Sequence, residues 1–163
     1  MSIAGDVFSD SGSMMIELIA DHLEVLPTLT EWYQSEWGPY YGKDGPGDAR
    51  ADLESRCNRA ELPIGLVAIE EKQVLGTAAL DLDVTTNLMP SVVGLLVEPA
   101  HRRRGIATAL LSAAEDLARQ LGYRRLYVST TVLGDLLNQL GWEAMGAVQF
   151  LNAEQGSVYV CDL

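Results

Sequence analysis

The stretch Val92–Val128, VVGLLVEPAHRRRGIATALLSAAEDLARQLGYRRLYV, contains three successive patterns that together point to a fold. Residues 91–97 form an apolar run that stops before Pro99, which predicts a buried strand. From 104 to 121, apolar side chains return every three or four residues, and Gly122 is placed to end a helix. The sequence therefore predicts a strand, a basic loop around His101–Arg104 and an amphipathic helix in direct succession.

The basic loop opens a positively charged part of the chain, residues 101–125, whereas the rest of the chain is acidic. Residues 101–125 hold six arginines against Glu115 and Asp116, a balance of +4, whereas the 163-residue chain carries a formal charge of −12. Nucleic acid is a poor partner for such a chain, since binding it requires faces that neutralise phosphates. The local positive charge instead favours a small anion.

The start of the predicted helix has the properties of a phosphate site. The first turn of a helix exposes unpaired N–H groups at the positive end of the helix dipole. Gly105 and Ala107 keep side-chain bulk away from this backbone, and Arg103 and Arg104 add charge suited to a diphosphate. The sequence contains neither the GxGxxG nor the GxxxxGK[ST] phosphate motif, so neither a Rossmann dinucleotide site nor a P-loop is predicted.

The remaining patterns predict one α/β domain over residues 14–163, preceded by a flexible tail at 1–13. Length, composition and the lack of a long apolar run predict a globular protein of the cytoplasm without a membrane partner. The predicted strands are 14–20, 64–70, 74–84, 91–97, 124–130 and two more after Trp142. The predicted helices are 21–37, 48–60, 104–121 and 132–140.

The segment LLVEPAHRRRGIATALL (95–111) resembles the acetyl-coenzyme A signature of the GNAT superfamily of N-acetyltransferases. In that signature an apolar strand precedes [Q/R]-x-x-G-x-[G/A], and Arg102, Gly105 and Ala107 occupy the three motif positions. LGYRRLYVST and LLNQLGW, further along the chain, resemble the family's fifth strand and the end of the following helix. The resemblance implies a mixed, mostly antiparallel sheet of six to seven strands, flanked by about four helices and splayed between strands 4 and 5.

The resemblance also implies acetyl-coenzyme A as co-substrate and no metal. The strand 95–97 would pair with the pantetheine arm, and the amides of 103–108 would surround the pyrophosphate. Thr131 lies near the position where the family often has a cofactor-binding asparagine. The residues expected at the cofactor are Leu95, Leu96, Val97, Arg102, Arg103, Arg104, Gly105, Ile106, Ala107, Thr108 and Thr131.

At the catalytic end the sequence departs from the family pattern. The family uses a backbone N–H of the bulged strand, here assigned to Val97, to stabilise the oxyanion. It usually has a tyrosine that protonates the departing sulfur, but Leu137 occupies that position, and Ser129 lies near the position of a frequent catalytic glutamate. Tyr127 and Ser129 share one face of the fifth strand and are alternative donors, as is water.

The base that deprotonates the amine has two candidates. Asp81 lies on the third strand and either lines the acceptor cleft or faces water. Glu36 ends a predicted helix within an aromatic segment suited to a cationic amine. The aromatic residues expected to contact the acceptor with Glu36 are Trp32, Trp37, Tyr40 and Tyr41. For Trp32 and Trp37 the alternative is that they are core residues of an amphipathic helix.

The sequence thus predicts an N-acetyltransferase that moves acetyl from acetyl-coenzyme A to a primary amine of a small molecule or peptide by direct attack in a ternary complex; a cationic acceptor fits the acidic chain. The alternative is a catalytically weak or inactive acyl-coenzyme A-binding regulatory domain. Both a monomer and a homodimer are compatible with the sequence.

Overall fold

The computed structural model describes residues 13–150 and 153–163, which form a single seven-stranded sheet with five α-helices. The strands are β1 Met15–Leu18, β2 Ile64–Glu70, β3 Gln73–Asp83, β4 Leu88–Val97, β5 Arg125–Thr130, β6 Glu143–Gln149 and β7 Gln155–Asp162. The helices are α1 Leu26–Glu36, α2 Gly38–Tyr41, α3 Ala49–Ser55, α4 Ile106–Gln120 and α5 Gly134–Gln139.

The sheet is antiparallel except at its centre. Its strand order is β1-β2-β3-β4-β5-β7-β6, and β4 and β5 run parallel. These two strands share one residue pair, Ser91 with Tyr127, whereas β5 and β7 pair along six residues. The mixed α/β fold predicted from the sequence, with its splay between the fourth and fifth strands, is confirmed.

Helices cover both faces of the sheet, which explains the apolar runs of its inner strands. Leu66 and Ala68 of β2 pack in the same core as the apolar face of α4, whereas Val67 points to the opposite face and packs with α1 and α3. Side chains alternate between the faces of a strand, so a strand buried on both sides must be apolar at every position.

The first half of the chain differs from prediction mainly at helix boundaries. The predicted helix 21–37 is shorter, because two 3₁₀ turns at 19–21 and 23–25 precede α1, in which Pro27 lies in the first turn. The predicted helix 48–60 ends at Ser55. Beyond it, Cys57 bridges Ile64 of β2 and the Asn58 amide donates to the Pro63 carbonyl, which turns the chain back toward the sheet.

The segment between the first two predicted helices contains the single-turn helix α2, which the sequence did not predict. Residues 1–12 of the predicted tail lie outside the described residues. Among the helices that the structure does describe, none has both the length and the apolar content needed to cross a bilayer.

We expect Leu110→Ala to lower the free energy of unfolding by about 2–5 kcal/mol, because Leu110 is completely buried between α4 and the sheet. Urea unfolding followed by circular dichroism measures the change. Leu23→Ala, at a side chain that is 57% exposed, is the control and should change it by less than about 0.5 kcal/mol. Equal losses in the two variants would contradict the proposed packing of α4.

Candidate active site

A cavity of about 570 Å³ opens where β4 and β5 diverge. Its walls come from the end of β4, the basic loop with the start of α4, the segment leading into α5, and the end of α1. Most of the residues predicted to contact the cofactor line it. The lining consists of Glu36, Leu95, Leu96, Val97, His101, Arg102, Arg103, Gly105, Ile106, Ala107, Thr108, Val132, Leu133 and Leu136.

Strand β4 is bulged just before it reaches the cavity. Gly94 and Leu95 together oppose the single residue Ala78 of β3, and Gly94 has φ +60°. A side chain at Gly94 would collide with the Tyr33 hydroxyl, and the positive φ disfavours other residues. A glycine inside an apolar strand is a recognised signal for such a bulge.

The backbone of β4 beyond the bulge presents hydrogen-bond donors to the cavity. The Glu98 N–H donates to the Leu75 carbonyl at 2.9 Å, toward the β3 side of the strand. Because backbone N–H groups alternate in direction along an extended strand, those of Leu95 and Val97 point to the other side. That side faces the gap left by β5, so these amides are directed toward the cavity.

The basic loop leads into α4 through two residues in left-handed backbone conformation. Arg103 has φ +66°, and Gly105, which caps α4, has φ +77°. A Cβ at Gly105 would meet no atom within 4 Å, so this backbone lies open to the cavity. The amides of the first helical turn have no partner within the helix and are available to an anion.

The three arginines of the loop have different environments. The Arg102 Nε donates to the Val97 carbonyl at 3.1 Å and so fastens the loop to the end of β4. Arg104 donates to both carboxylate oxygens of Glu70, at 2.9 and 3.2 Å, and is not one of the cavity residues. Among the described residues Arg103 forms no ion pair, and its exposed side chain borders the cavity.

His101 is half-buried and lines the cavity, and its ring nitrogens lie 2.9 Å from Arg104 Nη1 and 3.1 Å from Gln73 Nε2. The loop is thereby joined to the β2–β3 turn.

The wall formed by α5 is apolar. Leu133 and Leu136 line the cavity, whereas Leu137 is completely buried in the main core. The sequence motif placed Leu137 at the family's tyrosine position, but in this structure the helix turns Leu136 to the cavity instead. Either position carries leucine, so neither supplies a proton donor at this wall.

The predicted catalytic side chains are dispersed. Glu36, exposed at the end of α1, borders the cavity. Tyr127 and Ser129 are half-buried on one face of β5, and Thr131 follows that strand; among the described residues these three are not part of the cavity lining. Asp81 also lies outside the lining, and its Oδ2 is 3.3 Å from Arg56 Nε.

The aromatic segment around Glu36 packs mainly against itself. Trp37 and Tyr41 contact the buried ring of Tyr33, with ring centroids 5.0 and 5.5 Å away, and Tyr40 packs edge-on against Tyr41. Trp32 lies apart and borders a separate cavity of about 380 Å³. The alternative of a helix core therefore describes Trp37, and Tyr41 packs in the same cluster.

A buried polar network beneath the bulge was not anticipated. The Tyr33 hydroxyl donates to the Gly94 carbonyl at 3.2 Å and accepts from Arg56 Nη1 at 3.1 Å, and Arg56 continues to Asp81. Burial raises the pKa of Tyr33, so its hydroxyl stays protonated. Burial opposes the charge of Arg56, but Tyr33, Tyr41 and Asp81 outweigh it and its pKa is raised.

The sequence held a signal for only one member of this network. Gly94 interrupts an apolar strand, whereas Arg56 lies in the polar segment SRCNRA, where nothing indicates burial. Within residues 13–150 and 153–163 there is no cluster of His, Cys, Asp or Glu side chains that could hold a metal ion.

Known structures of acetyltransferases share this architecture. An aminoglycoside 6'-acetyltransferase type Ii superposes with a TM-score of 0.72 at 17% identity, over 90% of this chain and 96% of that one. The GNAT domain of S. lividans PAT gives 0.68 at 22% identity, over 98% and 96%. An aminoglycoside 6'-N-acetyltransferase complexed with coenzyme A gives 0.71 at 14% identity, over 90% and 96%.

At these low identities, the structural superpositions show a shared fold. By sequence, no curated protein matches the chain. The sequence profile described as "Acetyltransferase (GNAT) family" matches residues 26–138, which run from the start of α1 into α5 and include the bulge, the basic loop and α4. This match spans most of the chain and confirms the resemblance seen in the sequence. The chain therefore belongs to the acetyltransferase (GNAT) family and is an acyltransferase.

Proposed function

We propose that this protein is an N-acetyltransferase that moves the acetyl group of acetyl-coenzyme A to a primary amine by direct attack. The observation that carries the proposal is the cavity, which joins the free edge of β4 to the amides at the start of α4. An extended pantetheine arm suits the strand edge, and a pyrophosphate suits the helix start. The coenzyme A bound to one of the structural neighbours supports this choice of co-substrate.

The cavity residues divide the chemistry between them. The amine nitrogen forms a bond to the thioester carbonyl carbon, and the oxygen of that carbonyl becomes an oxyanion, which the Val97 N–H stabilises. The carbon–sulfur bond then breaks, so the products are an amide and coenzyme A. The acceptor ammonium first loses one proton to Glu36, directly or through water, because a protonated amine has no lone pair for attack. The nitrogen loses a second proton to water as the tetrahedral intermediate collapses to the amide.

The departing thiolate takes its proton from water in this proposal. The α5 wall presents Leu133 and Leu136, and neither can donate a proton. A thiol has a pKa of about 8.5, so its anion leaves without an acid far more readily than an alkoxide would.

The acceptor we propose is a cationic amine. The formal charge of −12 attracts cations, and Glu36 places a carboxylate at the cavity. The cytoplasmic location and the choice between monomer and homodimer stay predictions.

The decisive experiment measures thiol release from acetyl-coenzyme A with polyamines, amino sugars, amino acids and peptides as acceptors. We expect release with at least one primary amine and formation of an equal amount of the N-acetylated product. If acetyl-coenzyme A binds but no amine in the panel gives release, the alternative of a regulatory acyl-coenzyme A-binding domain is favoured.

We expect Gly105→Glu to weaken acetyl-coenzyme A binding at least ~100-fold, because the new carboxylate would project into the space assigned to the pyrophosphate. Isothermal calorimetry measures the affinity. Gly122→Glu is the matched control, since Gly122 has φ +91° and open space but lies at the other end of α4. Unchanged affinity in Gly105→Glu, or an equal loss in both variants, would remove the site assignment.

We expect Arg103→Gln to raise the KM for acetyl-coenzyme A roughly tenfold with little change in kcat, because it removes one charged hydrogen bond to phosphate. Arg124→Gln makes the same change of charge at an exposed position outside the cavity lining and should leave both constants within about twofold. Steady-state kinetics at varied concentrations of acetyl-coenzyme A measure both constants for each variant. An equal rise in KM in Arg103→Gln and Arg124→Gln would indicate only a general effect of charge.

We expect Glu36→Gln to lower kcat roughly 100-fold at pH 7, as for the loss of a general base. The deficit should shrink as the pH rises toward ~10, because the amine then loses its proton without assistance. Glu31→Gln, at an exposed position on the same helix, is the control and should match the unaltered protein. A deficit that is constant with pH would argue against Glu36 as the base.

A further inference from the structure

A chain of hydrogen bonds beneath the β4 bulge connects four separate parts of the fold and ends at the Gly94 carbonyl. Tyr33 comes from α1, Arg56 from the end of α3 and Asp81 from β3, and the chain of hydrogen bonds ends on Gly94 of β4. Tyr33 and Arg56 are 1% and 7% exposed. Two large polar side chains are thus buried next to the bulge, and their hydrogen bonds converge on its backbone.

A fixed Gly94 carbonyl also fixes the amide that follows. The Gly94 carbonyl and the Leu95 N–H belong to one planar peptide group, so a hydrogen bond that orients the first orients the second. Leu95 lines the cavity, and its N–H points to the same side of the strand as that of Val97. The network therefore acts on the row of donors that faces the reacting thioester.

From this geometry we infer that Tyr33 and Arg56 are positioning residues for acyl transfer, and that they hold the Gly94 bulge so that the amides of Leu95 and Val97 keep the orientation needed for the oxyanion. Arg56 acts through the Tyr33 hydroxyl, and Asp81 orients Arg56. The inference rests on the proposed function, because it assigns the network to the same site.

The ring and the hydroxyl of Tyr33 serve different purposes. The ring packs against Trp37 and Tyr41 and lies 5.9 Å from the Arg56 guanidinium, so it belongs to the core. The hydroxyl alone reaches Gly94. Tyr33→Phe therefore removes the positioning contact while it keeps the packing.

We expect Tyr33→Phe to lower kcat about tenfold to hundredfold, with the dissociation constant of coenzyme A changed by less than about threefold, because a small displacement of the oxyanion donors affects mainly the transition state. The deficit should stay constant with pH, unlike that of a variant lacking the base. Arg56→Gln should give a similar deficit, and the double variant should be no worse than the more impaired single variant.

Tyr41→Phe is the matched control. It removes one tyrosine hydroxyl from the same aromatic cluster, and that hydroxyl donates to Asp52 at 2.7 Å and not to β4. We expect it to cost stability, measured by thermal unfolding, with kcat within about twofold of the unaltered protein. If Tyr33→Phe keeps full kcat, or if Tyr41→Phe loses as much, the inference is overturned.

A second measurement separates this inference from the proposed function. Amide hydrogen exchange and ¹⁵N chemical shifts of Leu95 and Val97, recorded with coenzyme A bound, require no turnover. Tyr33→Phe should speed exchange at both amides and shift their signals, and Tyr41→Phe should not. Thiol release failing in the unaltered protein would overturn the proposed function alone, whereas unaltered amide signals in Tyr33→Phe would overturn the positioning role.

Discussion

Strand β4 loses its parallel neighbour after one residue pair, Ser91 with Tyr127, and the active site depends on this early separation. The backbone N–H and C=O groups of a central strand normally form hydrogen bonds with the strands on both sides. Beyond Ser91, β4 pairs with β3 and leaves its other edge unpaired by β5. The cavity lies along this edge, so donors that a sheet would ordinarily use internally are directed to the cavity.

In the proposed function the backbone carries much of the recognition, and the side chains around it mainly keep it in place. Arg102 ties the loop to the Val97 carbonyl, and Tyr33 holds the carbonyl of Gly94. Arg104 pairs with the Glu70 carboxylate, and among the described residues Arg103 is the one loop arginine with neither a hydrogen bond nor an ion pair. Arg102 and Arg104 thus contact the protein itself, and the cofactor roles expected for the three arginines stay predictions.

The sequence was most informative where a local pattern has a local cause. The strand, loop and helix from 91 to 121 were predictable because apolar periodicity and Gly105 act within a few residues of each other. The Arg56–Tyr33 contact joins positions 23 residues apart through tertiary packing, and no short pattern encodes it. Which leucine of α5 faces the cavity also depended on how that short helix is rotated against the core.

The contacts of Arg104 have a further consequence for ligand capture. Arg104 and His101 connect the basic loop to Glu70 and Gln73, at the turn between β2 and β3. The loop is thus held in place by the sheet, and in the proposed function an incoming diphosphate meets donors that are already arranged. Less of the binding free energy would then be consumed in ordering the loop, and more of it would serve to position the thioester.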